Sequence, residues 1–145
     1  MKVRDFRYSV PMDVQTLQST FPEHFAPWVL ALGLRVESAS VESVVLRLPQ
    51  SETLCRSGGT LCGQAMMAAA DSAMVIALIN HFGAFKPCTT VQMSSSFLKP
   101  LSNQDALVEA RITRAGKSMA FGEIEFRGAE DGKRVCRCSV VYALL

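Results

Sequence analysis

Between Ser57 and Phe85 one side chain carries a formal charge, and it is Asp71. It sits in the run Gly63-Gln64-Ala65-Met66-Met67-Ala68-Ala69-Ala70-Asp71-Ser72-Ala73-Met74-Val75-Ile76-Ala77-Leu78, which offers almost nothing polar to pair with it. A carboxylate in such surroundings is either satisfied by backbone N–H groups or a partner charge, or is kept there for acid–base chemistry. On a helical period it shares a face with Met67, Ala68, Met74 and Val75, and two turns away with Gln64 and Leu78. An acid set in an apolar wall is a stronger base than a solvated one. Upstream, Gly63 begins the apolar run, where its backbone N–H is aligned with a helix N-terminus. One such donor stabilises a developing oxyanion by roughly 3 to 4 kcal/mol. The missing side chain lets a substrate approach the backbone. A water activator and an oxyanion donor are the minimum set for attack on a carbonyl.

Other residue types near this run could take part. Arg56 could hold Asp71 ionised, donate to a carbonyl or meet anionic groups; an exposed loop arginine is the plain alternative. Cys62 is a candidate nucleophile, because a helix N-terminus favours thiolate. No histidine is placed nearby in sequence to act as its base, so a small apolar filler is the simpler reading. Thr90 on a strand is by residue type a β-former. His81, near the end of the run, reads as a dipole-compatible cap.

The elements that must position these residues follow from periodicity. From Leu61 to Phe82 the chain is apolar on every face, with Gly83 as a C′ stop, which predicts roughly five turns of buried helix. Ahead of it, Asp13 starts a short helix ending before Phe21-Pro22, and Glu23 to Leu32 reads as a second, stopped by Gly33. Within it Phe25 and Trp28 are core or pocket wall. Leu34 to Val36 and Val41 to Leu48 alternate and make two strands turning near Ala39-Ser40. Gln50 to Gly59 is a loop. After the helix come strands over Thr89 to Leu98, Ala106 to Thr113, Lys117 to Arg127 and Arg134 to Leu144, with turns at Arg114-Ala115-Gly116 and Glu130-Asp131-Gly132-Lys133. The expectation is one α+β domain over residues 1–145: about five to six antiparallel strands wrapped around one long central helix, preceded by an N-terminal arm and short helices over 1–33.

Composition narrows the function classes. Fifteen basic and 13 acidic residues give a net charge of +2 with no basic stripe, which argues against nucleic acid. The segment Met1 to Val10, an arm or edge piece, lacks the apolar core of a signal peptide, and the apolar run carries Asp71 and Gln64, so the protein is expected to be soluble, off the membrane and cytoplasmic. Five cysteines without CxxC spacing and two histidines point away from a metal, and Cys136 and Cys138 share one strand face as core fillers. A 49% hydrophobic content and mean hydropathy of +0.21 suggest apolar surface buried against another subunit.

The ordered set Gly59-Thr60-Leu61-Cys62-Gly63-Gln64 with Ala70-Asp71-Ser72-Ala73, then Thr90 to Pro100 and Gly116-Lys117-Ser118-Met119-Ala120-Phe121, resembles the hotdog-fold acyl-CoA thioesterases of the phenylacetic-acid-degradation type. The likeness runs from about Phe25 to Tyr142. It implies an acyl-CoA thioesterase without cofactor or metal. Asp71 would be the helix carboxylate acting as base or nucleophile and Gly63 the oxyanion donor. Thr90 would be a hydroxyl from the opposing subunit, placing water or the acid. The site would lie at the interface of a homodimer or dimer of dimers. Cys62 stands where the family usually has His, and Arg56 where Asn commonly orients the water or carbonyl. Gln64, Met67 and Trp28 are the substrate-wall candidates, methionines being adaptable enough to line an acyl pocket. A non-catalytic acyl-CoA-binding or regulatory module is the alternative, and a hotdog hydratase is disfavoured because no histidine lies near the helix entrance.

Overall fold

A computed structural model describes residues 10–145; the arm expected at the N-terminus lies largely outside the described residues. The centre is α4 (Gly63–Phe82), a helix with no polar face, ended by Gly83 in the left-handed conformation at φ 78°, whose N–H bonds the Ile79 carbonyl. By length and composition this helix could cross a membrane, yet most of it is buried inside the protein: it is a core helix.

The sheet that covers it is antiparallel throughout, in the order β1 (Arg35–Ala39), β2 (Ser43–Leu48), β6 (Ala106–Ala115), β7 (Met119–Gly128), β8 (Arg134–Leu144), β5 (Cys88–Phe97). Alternation sets its inner face. Val44, Leu46 and Leu48 of β2, Ala106, Val108 and Ala110 of β6, Ile124 and Phe126 of β7, and Cys136, Cys138, Val140 and Tyr142 of β8 are all buried in the one core with α4. This is the antiparallel sheet on one long central helix expected from periodicity, and the hotdog fold that the resemblance implied. At Gly122 of β7 the Met74 side chain of the helix packs directly against the strand backbone. A Cβ there would lie 2.5 Å from the Met74 sulfur and 3.1 Å from the Arg111 carbonyl oxygen, so only glycine admits the fully buried Met74.

The N-terminal region departs from the expected pair of helices. After α1 (Val14–Ser19), capped by the Asp13 carboxylate, there are two short turns, α2 (Phe21–His24) and α3 (Pro27–Leu30), in place of one helix over 23–32. Pro27 is the reason: it holds Ala26 extended and can only begin a new helix. The loop over 50–59 also carries more structure than expected, a 3₁₀ turn at Glu52–Leu54 and a small hairpin of β3 (Cys55–Arg56) and β4 (Thr60–Leu61).

The two sheet edges differ. At β1 the Gln18 side chain donates to the Leu34 carbonyl at 3.3 Å and accepts from the Val36 N–H at 2.7 Å, so α1 blunts that edge. At the other edge, β5 is ten residues long, largely exposed, and contains neither charge nor proline. Among the described residues nothing pairs its outer row.

Gly122→Ala should destabilise the fold by about 1 to 3 kcal/mol, because Met74 has no free space to retreat into. Urea denaturation of the two proteins measures it; an unchanged midpoint would show that the helix can shift instead.

Candidate active site

The sheet leaves one stripe of α4 uncovered: Gln64, Met67, Ala68, Asp71 and Val75 are exposed or half-buried while their neighbours are buried. Asp71 therefore lies at the edge of the core rather than inside it, and its partners come from the sheet. Thr90 Oγ1 donates to Asp71 Oδ1 at 2.8 Å, and the hydroxyl of buried Tyr142 donates to the same oxygen. Thr90 and Tyr142 face each other across the β5–β8 ladder. A bulge at Val91, between the pairs Thr90–Tyr142 and Gln92–Val141, keeps the Thr90 hydroxyl on the helix side.

Beside this carboxylate is an open cavity of about 290 Å³. Asp71, Ala68 and Val75 form one wall, Phe25, Trp28 and Val29 another, and Thr90, Cys88 and Tyr142 the floor. Trp28 is 65% exposed, so it is a pocket wall and not core. His24 also lines the cavity, its ring stacked on Phe85 at 3.9 Å between centroids. Burial, and secondarily the Asp71 charge, push the Cys88 thiol above its ordinary range and keep it neutral. Tyr142 is pushed well above the usual phenol range, first by burial and then by its bond to Asp71, so it remains a donor.

The remaining candidates gather elsewhere. Arg56, Cys62, Gly63 and Gln64 line a second cavity of about 600 Å³ at the start of α4, together with Phe97, Leu98 and Lys99. Cys62 occupies the N-cap position without a side-chain hydrogen bond to the helix, and the Gly63 N–H has no acceptor among the described residues. It is an open donor at the positive end of a helix of twenty residues. The Phe97 ring crowds Gly63: a Cβ there would sit 3.2 Å from it. Met67 lies on the stripe between the cavities and lines neither.

Two expectations need correction. Thr90 hydrogen-bonds the Asp71 carboxylate of its own chain, where the resemblance implied an approach from an opposing subunit. Arg56 makes no ion pair with its own Asp71: it lines the cavity at the start of the helix, beside Gly63, whereas Asp71 lies two turns further on. Tyr142 was missed by sequence reading. A signal existed, because Tyr142 falls on the inward phase of an alternating strand, and a buried phenol must find an acceptor.

The comparisons with known proteins agree with this architecture. Residues 58–135 match the thioesterase superfamily, and the chain belongs to it. A protein of Saccharolobus solfataricus named as a proposed esterase is 29% identical over 102 residues, which is 70% of this chain and 71% of that one. Among solved structures, a mutant thioesterase of Pseudomonas aeruginosa superposes with a TM-score of 0.81 at 21% identity, covering 92% of this chain and 94% of that one. The E. coli PaaI protein of the phenylacetic acid degradation operon superposes with a TM-score of 0.76 at 14% identity, covering 92% and 96%. The protein is thus a thioester hydrolase by family.

No histidine lines the cavity that contains Cys62. Cys62→Ala should accordingly keep thioester hydrolysis within about threefold of wild type, measured by thiol release, whereas an essential nucleophile would lose several orders of magnitude.

Proposed function

We propose that the protein is an acyl-CoA thioesterase, hydrolysing an acyl-CoA to the free acid and CoA at a site shared by two copies of the chain. The observation that carries this reading is the separation of the two half-sites. From Gly63 to Asp71 the helix advances about 12 Å. One thioester carbonyl cannot touch both the N–H of Gly63 and a water held by Asp71 of the same chain. Each half is complete in what the other lacks: Asp71, Thr90 and Trp28 form a base beside a half-apolar pocket, and Gly63, Cys62, Gln64 and Arg56 form a donor beside a cation.

The bare edge of β5 supplies the means of joining them. A second copy pairing there antiparallel about a two-fold axis buries the uncharged strand with Val91 and Leu98, and lays the uncovered stripe of one α4 beside the start of the other. In such a dimer Asp71 of one chain takes a proton from water as its oxygen attacks the thioester carbon. The Gly63 N–H of the other chain receives the oxyanion. Collapse of the tetrahedral intermediate breaks the carbon–sulfur bond, and the proton returns to the CoA sulfur. Arg56 donates to the carbonyl or to CoA phosphate, and Trp28 bounds the acyl group. CoA chemistry and five free cysteines suit a reducing cytoplasm.

Free-thiol release from a panel of acyl-CoA esters tests the chemistry: wild type should turn over, and Asp71→Asn should lose about a hundredfold or more. Equal, negligible rates in both would leave an acyl-CoA-binding module. The shared site is tested by complementation. Gly63→Pro removes the N–H at the first helical position, where the extended Cys62 suits a following proline; its Cβ presses on the Phe97 ring, so circular dichroism checks that the variant folds. Co-refolding inactive Gly63→Pro with inactive Asp71→Asn should recover about a quarter of wild-type activity, because half of the dimers are hybrids with one intact site. No recovery would confine the site to one chain.

A further inference from the structure

We infer that Tyr142 is a positioning residue for the base: together with Thr90 it occupies Oδ1 of Asp71 and leaves Oδ2 as the oxygen that takes the proton from water. The inference rests on the reading of Asp71 as the general base. Both hydroxyls converge on Oδ1, and among the described residues no group donates to Oδ2. The Tyr142 hydroxyl has a single proton. The Asp71 backbone carbonyl, 2.9 Å from the same hydroxyl, is a competing acceptor, and the charged oxygen is the stronger one.

The arrangement is rigid for reasons that lie in the fold. Tyr142 is buried to 2% exposure on β8, and its ladder partner is Thr90, so the two donors are fixed relative to each other before they meet the helix. A phenol this deeply buried is costly to leave unbonded, and the Asp71 carboxylate is the stronger of its two acceptors. Because its ionisation is pushed up, Tyr142 stays protonated and cannot itself serve as base. The other titratable groups facing Asp71 are Cys88 from β5, held as the neutral thiol, and His24, which lines the cavity from α2.

A donor to the carboxylate favours its ionised form, so its removal should raise the pH at which the base becomes active. Tyr142→Phe keeps the ring and deletes the hydroxyl. Its kcat should fall roughly tenfold with KM little changed, and the acid limb of its kcat/KM profile should move up by about one pH unit. The opposite shift comes from a stronger donor. Tyr8 and Tyr142 are the chain's two tyrosines, so biosynthetic 3-fluorotyrosine in a Tyr8→Phe background labels position 142 alone. Its acid limb should move below that of unlabelled Tyr8→Phe. A purely structural Tyr142 would leave both limbs in place, and that result overturns the inference. If Tyr142→Phe fails to fold by circular dichroism, the fluorotyrosine comparison decides alone. An active Asp71→Asn would instead overturn the reading of the base, which separates the two failures.

Discussion

A twenty-residue helix without a polar face cannot lie on the surface of a soluble domain, and the rest of the molecule answers that constraint. Four of the strands, β2, β6, β7 and β8, turn their apolar alternation toward α4, and the sheet buries most of it. Closure is incomplete along one stripe only. The single carboxylate of the helix lies on that stripe, where sheet hydroxyls can reach it and a cavity opens beside it. The same packing that hides the helix therefore also determines where its polar chemistry can be exposed.

The helix contributes chemistry at two levels along its length. At its first residue the backbone offers an N–H that no internal acceptor uses, and the residue before it declines to cap the turn. In its middle a side chain offers a carboxylate. These two resources lie about 12 Å apart along one copy, because an α-helix is a rigid spacer. Against this background the difference between the sheet edges acquires meaning. One edge is covered by α1 and the glutamine that satisfies its backbone, whereas the other is long and uncharged. Proteins that remain monomeric rarely leave such a strand unprotected.

Much of this was legible in the sequence, and what was not had physical causes. The apolar run with Gly83 behind it marked the central helix, Asp13 marked the start of α1, and the alternation of Val44, Leu46 and Leu48 marked a half-buried strand. Asp71 stood out by being a charge with no local partner. The break between α2 and α3 was missed because apolar spacing through Phe25, Trp28 and Val29 continued across Pro27, and a helix period says nothing about a backbone that lacks an N–H. That Thr90 bonds the Asp71 of its own chain was not legible: β5 follows α4 in the chain yet pairs with the last strand, so the meeting of Thr90, Tyr142 and Asp71 is a fact of topology and not of spacing. The role of Gly122 was hidden likewise, since only the helix packed above it shows that a methyl group has no room.

The bulge at Val91 means that the hydroxyl beside the carboxylate is placed by counting. A regular pleat carried back from Met93, which faces the core, would bring Val91 and Thr89 inward and turn Thr90 out. One surplus residue in the ladder corrects the phase. The instruction is held in the number of residues between Thr90 and Met93 as much as in their kinds, so removing one residue in that interval would exchange the group presented to Asp71 while leaving composition, hydropathy and strand propensity nearly unchanged.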